Sequence, residues 1–317
     1  MAGGGASPRQ PGAGGGGGTA PPSWVSGATR VVGLIGWPVE HSLSPVIHNA
    51  AFAALGLHWV YVPLPVPPTA VRAAVEGLAA LGLAGANVTM PHKEAVAGLA
   101  GDLTEDATRL RAVNTLVVAG DTLVGHNTDA PGFGRFLERD AAFEAAGRHA
   151  LVLGSGGAAR ACALALARAG VASIAVAARD AGRAAEVVRC LWGLPAEVRT
   201  IAWSEADAEE PDVLVNATPV LGTEELPLPA LGAVELVVDL RYRPAVTPLV
   251  AAAREAGAAA FGGLGMLIHQ AALSFEIWTG QAPSTGVMSA AAVAAIAEPL
   301  VEPAPPSDAP RPSDPPR

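Results

Sequence analysis

The sequence predicts an α/β fold built as two successive units, and three observations carry the prediction. From Arg30 onward, short apolar runs alternate with segments of helical spacing, the pattern of strands joined by crossover helices into a largely parallel sheet. The series breaks and restarts around residues 130–148. A length of 317 residues suits about two domains.

In the first series, VVGLIG (31–36) reads as a buried strand and SPVIHNAAFAALG (44–56) as a helix with a glycine stop. HWVYVPL (58–64) is a strand and PTAVRAAVEGLAALG (68–82) a helix. GANVTM (85–90) is a strand, PHKEAVAGLA (91–100) a short helix and VNTLVVA (113–119) a further strand. The second series opens with HALVLG (149–154) as a strand and GGAARACALALARAG (156–170) as its helix. ASIAVAA (172–178), DVLVNAT (212–218) and ELVVDL (235–240) are strands. After Phe261 the pattern turns helical, through GMLIHQAALSFEIWTG (265–280) and SAAAVAAIAEPL (289–300). The ends, 1–27 and 302–317, are rich in Gly, Pro and Ser and read as disordered tails. The first has no apolar core of a secretory signal.

Composition narrows the function classes. Half of the residues are hydrophobic, which allows a sizeable core, but much of that is alanine. No uninterrupted apolar stretch reaches the ~18 residues of a membrane span. A net charge of −9 without a basic stripe argues against nucleic acid, and any attraction for an anionic substrate must be local. Cys162 and Cys190 form neither a metal motif nor a disulfide framework, so both read as buried thiols of a cytoplasmic protein, with no metal site expected.

A dinucleotide signal lies in ALVLGSGGAARA, where Gly154, Gly156 and Ala159 fit G-x-G-x-x-A. With a strand before and a helix after, such a turn lets backbone approach a pyrophosphate at a helix N-terminus. The plain alternative is a tight turn without a ligand. An NAD site would carry an acid at the end of the second strand; this chain has Ala178-Arg179, with Arg183 one turn later. Guanidinium groups there suit a 2′-phosphate and hence NADP(H), unless they merely face solvent. Asp180, beside Arg179, would repel that phosphate if it pointed inward.

Polar residues cluster at strand ends of the first series. HSLSP sets Ser42 and Ser44 ahead of a helix expected to begin at Pro45. Capping needs one serine; two hydroxyls at a positive helix end also make a carboxylate site, and both readings stand. In NVTMPHK, Asn87 and Thr89 alternate along one strand face and Pro91 is expected to start a helix. Lys93 then falls in the first turn, the unfavourable end for a cation, so it either has work beyond stability or reaches into solvent. His92 is expected at the surface. RAVNT (111–115) adds Asn114, and GHNTD (125–129) adds Asn127 and Asp129 where a cleft would form, although an Asp there is commonly a turn or cap residue.

GWPVEHSLSPVIHNAAF, NVTMPHK, AVNT, NTD, GSGGAAR, NATP and GLGMLIHQAALSFEIWTG occur in this order. Together they make the chain resemble the shikimate dehydrogenase family over everything but the tails. The resemblance implies a substrate-binding catalytic domain over 28–129, completed by 263–301, and a Rossmann-type NADP-binding domain over 130–262. It implies NADPH-dependent, reversible reduction of 3-dehydroshikimate to shikimate in chorismate and aromatic amino acid biosynthesis. Ser42 and Ser44 would hold the substrate carboxylate; Asn87, Thr89, Asn114 and Gln270 the ring hydroxyls, with Tyr242 close by. Lys93 and Asp129 would be the catalytic pair. Gly154, Gly156, Gly157, Ala158, Arg179, Thr218, Gly263 and Met266 would line the cofactor, joined by Arg183 from the local reading. The implied partners are the small-molecule substrate and NADP(H), for a monomer or homodimer. Where the family often has Asn-Arg-Thr, this chain has Ala178-Arg179-Asp180, and DLRYRP (239–244) carries arginines where smaller or neutral residues are commoner. Quinate or aminoshikimate dehydrogenases of the same family, another reductase on this fold and a non-catalytic NADP(H)-binding regulator are the alternatives. The regulator should lack the lysine–aspartate pair.

Overall fold

The structure is a computed structural model and describes residues 25–297. The 302–317 tail, all but the last three residues of the 1–27 tail, and the end of the 289–300 helix lie outside the described residues.

The first sheet comprises β1 (Arg30–Gly36), β2 (Trp59–Pro65), β3 (Gly85–Val88), β4 (Asp102–Leu103), β5 (Thr115–Ala119) and β6 (Thr122–His126), in the order β2-β1-β3-β5-β6-β4. Its helices are α1 (Ser44–Ala54), α2 (Val71–Ala80), α3 (Lys93–Ala97) and α4 (Glu105–Leu110). Three of its five pairings are parallel, as expected, and β5 is the exception. β1 runs parallel to β2 and β3, whereas β5 is antiparallel to both β3 and β6. Ala119 pairs with Thr122, so Gly120-Asp121 is a two-residue hairpin loop, and Gly120 supplies the positive φ of 62° that such loops demand.

α5 (Asp129–Arg139) leads to the second sheet: β7 (His149–Leu153), β8 (Ser173–Ala177), β9 (Glu197–Ile201), β10 (Val213–Asn216), β11 (Leu236–Asp239) and β12 (Ala259–Gly262). Every pairing is parallel, in the order β12-β11-β10-β7-β8-β9, with α6 (Gly157–Arg168), α7 (Ala181–Cys190) and α8 (Pro248–Glu255) on its faces. β7 pairs with both β8 and β10, so strand order reverses at its carboxyl end. That crevice is where ligands bind in open α/β sheets.

α9 (Leu264–Thr279) and α10 (Thr285–Ala297) close the described chain. Met266 of α9 belongs to the second sheet's core, while Ile268, Ala271, Phe275 and Trp278 belong to the first sheet's. A Cβ on Gly132 of α5 would stand 2.8 Å from the Gln270 backbone nitrogen, so α5 and α9 cross nearly backbone to backbone.

Candidate active site

The segments leaving β3, entering β5 and leaving β6 bring Lys93, Asn114 and Asp129 together. Lys93 opens α3, and its Nζ donates to Asp129 Oδ2 at 2.6 Å. The lysine side chain is 21% exposed and that of the aspartate 6%, so the pair sits at the floor of an accessible cleft. Asp129 opens α5, where the helix N-terminus favours its charge. Asn127 fixes this turn: its Oδ1 accepts from the Asp129 and Ala130 amides at 3.1 and 3.4 Å, and its Nδ2 donates to Ala112 O at 2.9 Å.

Asn114 aims the carboxylate. Its Nδ2 donates to Asp129 Oδ1 at 2.9 Å and reaches Gln270 Oε1 at 3.3 Å, while its Oδ1 accepts from the Thr128 amide at 2.8 Å. Behind it lies a polar network. Asn87 Nδ2 contacts Asn114 O, Thr115 Oγ1 and Ser274 Oγ at 3.0–3.1 Å, and its Oδ1 accepts from the Tyr61 hydroxyl at 2.9 Å. Ser274 Oγ joins Thr115 Oγ1 at 2.8 Å and Thr128 Oγ1 at 3.1 Å, and Thr128 Oγ1 also accepts from Asn114 Nδ2 at 2.8 Å. Sequence reasoning missed Tyr61, Thr115, Thr128 and Ser274. Two signals were available: Ser274 stands one helical turn after Gln270, and Thr128 lies between Asn127 and Asp129.

Three local expectations are corrected. The helix after HSLSP begins at Ser44 rather than Pro45, with Leu43 at its N-cap and no side-chain cap. Ser42 Oγ accepts from the Ser44 amide at 3.2 Å, and the Ser44 hydroxyl faces Tyr61, whose phenol burial pushes up against that hydroxyl's opposing effect. Pro91 precedes α3 rather than starting it, and β3 ends at Val88, one residue before Thr89. His92 is buried, not at the surface; its Nε2 lies 2.7 Å from Val66 O, because the tight turn folds the ring beneath that loop and gives its carbonyl a partner.

Across the cleft, Gly154 has φ 117°, and a Cβ there would stand 3.0 Å from Ala217 O, so two independent constraints require glycine. Gly156 is the N-cap of α6, with open space where a Cβ would be; Gly157 and Ala158 begin the helix. This cradle at a helix N-terminus fits a pyrophosphate. Asn216 Oδ1 accepts from the Thr218 amide at 3.1 Å and hydroxyl at 2.7 Å, and Asn216 Nδ2 donates to the buried Asp239. Arg241 completes that assembly through an ion pair of 2.6 Å with Asp239, and Arg243 donates to Ala295 O at 3.0 Å, so both unusual arginines have structural partners. Gly263 caps α9, where a Cβ would overlap the Leu240 carbonyl oxygen. Met266 Sδ lies 4.0 Å from Cys162 Sγ, a thiol that burial and then the Asp129 charge push up, against Lys93.

Arg179 and Arg183 are exposed at the end of β8 and the start of α7. Asp180 Oδ1 accepts from the Arg183 amide at 3.0 Å and caps α7, so this carboxylate serves the helix. Tyr242 is half-buried and lines a cavity of about 630 Å³ with Arg243, Phe136 and Phe261; neither Lys93 nor Asp129 borders it. Among the described residues no helix is long and apolar enough to cross a membrane, and no group of three or more His, Cys, Asp or Glu side chains could hold a metal ion.

Comparison with known proteins bears on the same segments. Residues 34–116 match the shikimate dehydrogenase substrate binding domain, and residues 263–293 match the shikimate 5′-dehydrogenase C-terminal domain. A shikimate dehydrogenase (NADP(+)) of Rubrobacter xylanophilus is 48% identical over 277 residues, covering 83% of this chain and 95% of the relative. The chain belongs to the shikimate dehydrogenase family. The Thermus thermophilus shikimate 5-dehydrogenase, solved with NADP(H) and shikimate, is 37% identical with a TM-score of 0.75, covering 84% of this chain and 100% of the other. The family's architecture also serves other substrates: a 5-ketofructose reductase of Gluconobacter is 29% identical at a TM-score of 0.75, covering 85% and 99%.

Proposed function

We propose that the protein catalyses the reversible, NADPH-dependent reduction of 3-dehydroshikimate to shikimate in aromatic amino acid biosynthesis. The observation that carries this is the Lys93–Asp129 pair at 2.6 Å, facing the glycine turn of the second sheet. The first sheet with α9 and α10 forms the substrate unit, and the second sheet the NADP unit. Gly154, Gly156, Gly157, Ala158, Thr218, Gly263 and Met266 would line the cofactor, and Arg179 and Arg183 would meet its 2′-phosphate. Bound there, NADPH supplies the hydride.

The chain's own residues do the rest. Ser42 and Ser44, at the positive end of α1, hold the substrate carboxylate. Asn87, Thr89, Asn114 and Gln270 position the ring hydroxyls, with Tyr242 nearby. As the ring ketone becomes an alkoxide, the Lys93 ammonium stabilises the charge and the Lys93–Asp129 pair delivers the proton. Asn114 keeps Asp129 aimed at the lysine throughout. The same reading puts the enzyme in the reducing cytoplasm, where two buried cysteines persist as thiols, as a monomer or homodimer.

The test is kcat/KM for shikimate, quinate, shikimate methyl ester and reduced 5-ketofructose with saturating NADP+. Shikimate is expected to lead by orders of magnitude. Quinate's extra hydroxyl would project beside Ser42 and Ser44, and the ester would leave two hydroxyls facing a neutral group. Equal rates for quinate would make the enzyme dual-specific; an ester as good as the acid would remove both serines from the carboxylate site.

A further inference from the structure

Glu94 follows Lys93 on α3 and reaches away from the substrate unit. Its Oε1 accepts from Arg160 of α6 in a short ion pair and from Arg183 of α7 at 3.4 Å. One carboxylate of the first unit thus bridges two guanidinium groups of the second.

The two arginines differ. The Arg160 side chain is buried; its Nη1 donates to Leu110 O at 2.9 Å, its Nε has no partner, and Glu94 is its ion-pair partner among the described residues. A buried guanidinium stripped of its counter-charge is strongly destabilising, so Glu94 stays with Arg160. The Arg183 pair is washed by solvent, with side chains 57% and 54% exposed, and such a contact is weak and easily exchanged. Asp180 Oδ1 accepts from the Arg183 amide and caps α7.

We propose that Glu94 is a placeholder for the cofactor's 2′-phosphate: it holds Arg183 across the cleft and yields it to the phosphate on binding. The inference rests on the reading of Arg183 as a 2′-phosphate ligand. A phosphate offers more charge and more acceptor oxygens than a carboxylate, so the exchange favours the cofactor. Glu94 is then a positioning residue that lowers affinity for NADP(H) and has no effect on a nucleotide lacking that phosphate. Its neighbour Lys93 keeps its partner because Arg160 still anchors α3 to α6.

Calorimetric titration of the full chain with 2′,5′-ADP and 5′-AMP tests this, using the wild type, Glu94→Gln, Arg183→Gln and the double variant. Glu94→Gln is expected to tighten 2′,5′-ADP by about two- to five-fold, the scale of an exposed ion pair, and to leave 5′-AMP unchanged. The gain should vanish in the Arg183→Gln background. Unchanged or weakened 2′,5′-ADP binding by Glu94→Gln overturns the proposal, as does an equal change for both nucleotides. If Arg183→Gln itself leaves 2′,5′-ADP affinity intact, the ligand reading of Arg183 falls and this proposal with it. Should Glu94→Gln fail to fold, Glu94→Gln/Arg160→Gln removes the buried charge together with its partner, and the same selective tightening is expected.

Discussion

The side chain of Lys93 lies along Gly157: a Cβ at position 157 would stand 3.6 Å from the lysine Cδ. The glycine turn and the Lys93–Asp129 pair therefore share a wall. That spacing is ordinary contact, so Gly157→Ala should fold and keep most activity. A branched side chain would push the ammonium off Asp129. Gly157→Val is expected to lower kcat by up to about 100-fold, the cost of a misplacement near 1 Å, with an unfolding midpoint close to that of Gly157→Ala. Equal kcat values for the two variants would refute the shared wall.

Lys93→Ala should lower kcat by about 10²–10⁴-fold while KM moves far less, because the lysine acts on charge that develops in the transition state. Asp129→Asn should be comparably severe. Since the two form one hydrogen-bonded unit at 2.6 Å, the double variant should cost little more than either single one. Steady-state kinetics on the three purified variants decides this; additive losses would mean the residues act separately.

Cofactor choice separates the arginine from its acidic neighbour. Arg179→Gln is expected to lower kcat/KM for NADPH about tenfold and leave the NADH value unchanged. Asp180 caps α7, so Asp180→Ala should cost about 1 kcal/mol of stability without shifting cofactor preference. Kinetics with both cofactors and a denaturant titration read the two effects; a preference moved by Asp180→Ala would place that carboxylate in the ribose pocket.

Acid stability should report on His48. The ring is fully buried, stacks on Tyr61 at 4.5 Å, and neither nitrogen has a hydrogen-bond partner. Burial lowers its pKa from 6.5 to about 3, outweighing the nearby Asn87 side chain. In the unfolded chain the imidazole takes up a proton near its ordinary pKa, which the folded state refuses. The stabilisation is complete above pH 6.5 and is lost as pH falls toward about 3, at up to about 1.4 kcal/mol per pH unit. His48→Phe should flatten the dependence of unfolding free energy on pH between about 4 and 6 by roughly that slope. Wild-type and variant curves that stay parallel would show that the ring is protonated in the fold.

Much of this organisation was legible in the sequence because it is local. The glycine turn, the runs of β7, β8, β10 and β11 and the Ser, Asn, Lys and Asp of the cleft each carry their own signal. α5 was not legible, because Pro131 and Gly132 are residue types that disfavour a helix interior. The proline sits in the first turn, where its missing N–H costs nothing, and the glycine is required by the crossing with Gln270. The β5–β6 hairpin escaped because Gly120-Asp121 is too short a break in a run of apolar residues. His92 and the Glu94 bridge were invisible for another reason: their partners, Val66 and Arg160, lie 26 and 66 residues away.

The division of α9 between two cores governs how the molecule is made. The first sheet is synthesised before anything else in the fold, yet its apolar face is covered by Phe275 and Trp278 of α9 and by Met288 and Ala292 of α10. A nascent chain leaving the ribosome carries that face uncovered until the last helices emerge, while the second sheet can close over its own strands earlier. The half of the site that carries Lys93 and Asp129 thus receives its covering helices only after every strand of the second sheet has been made.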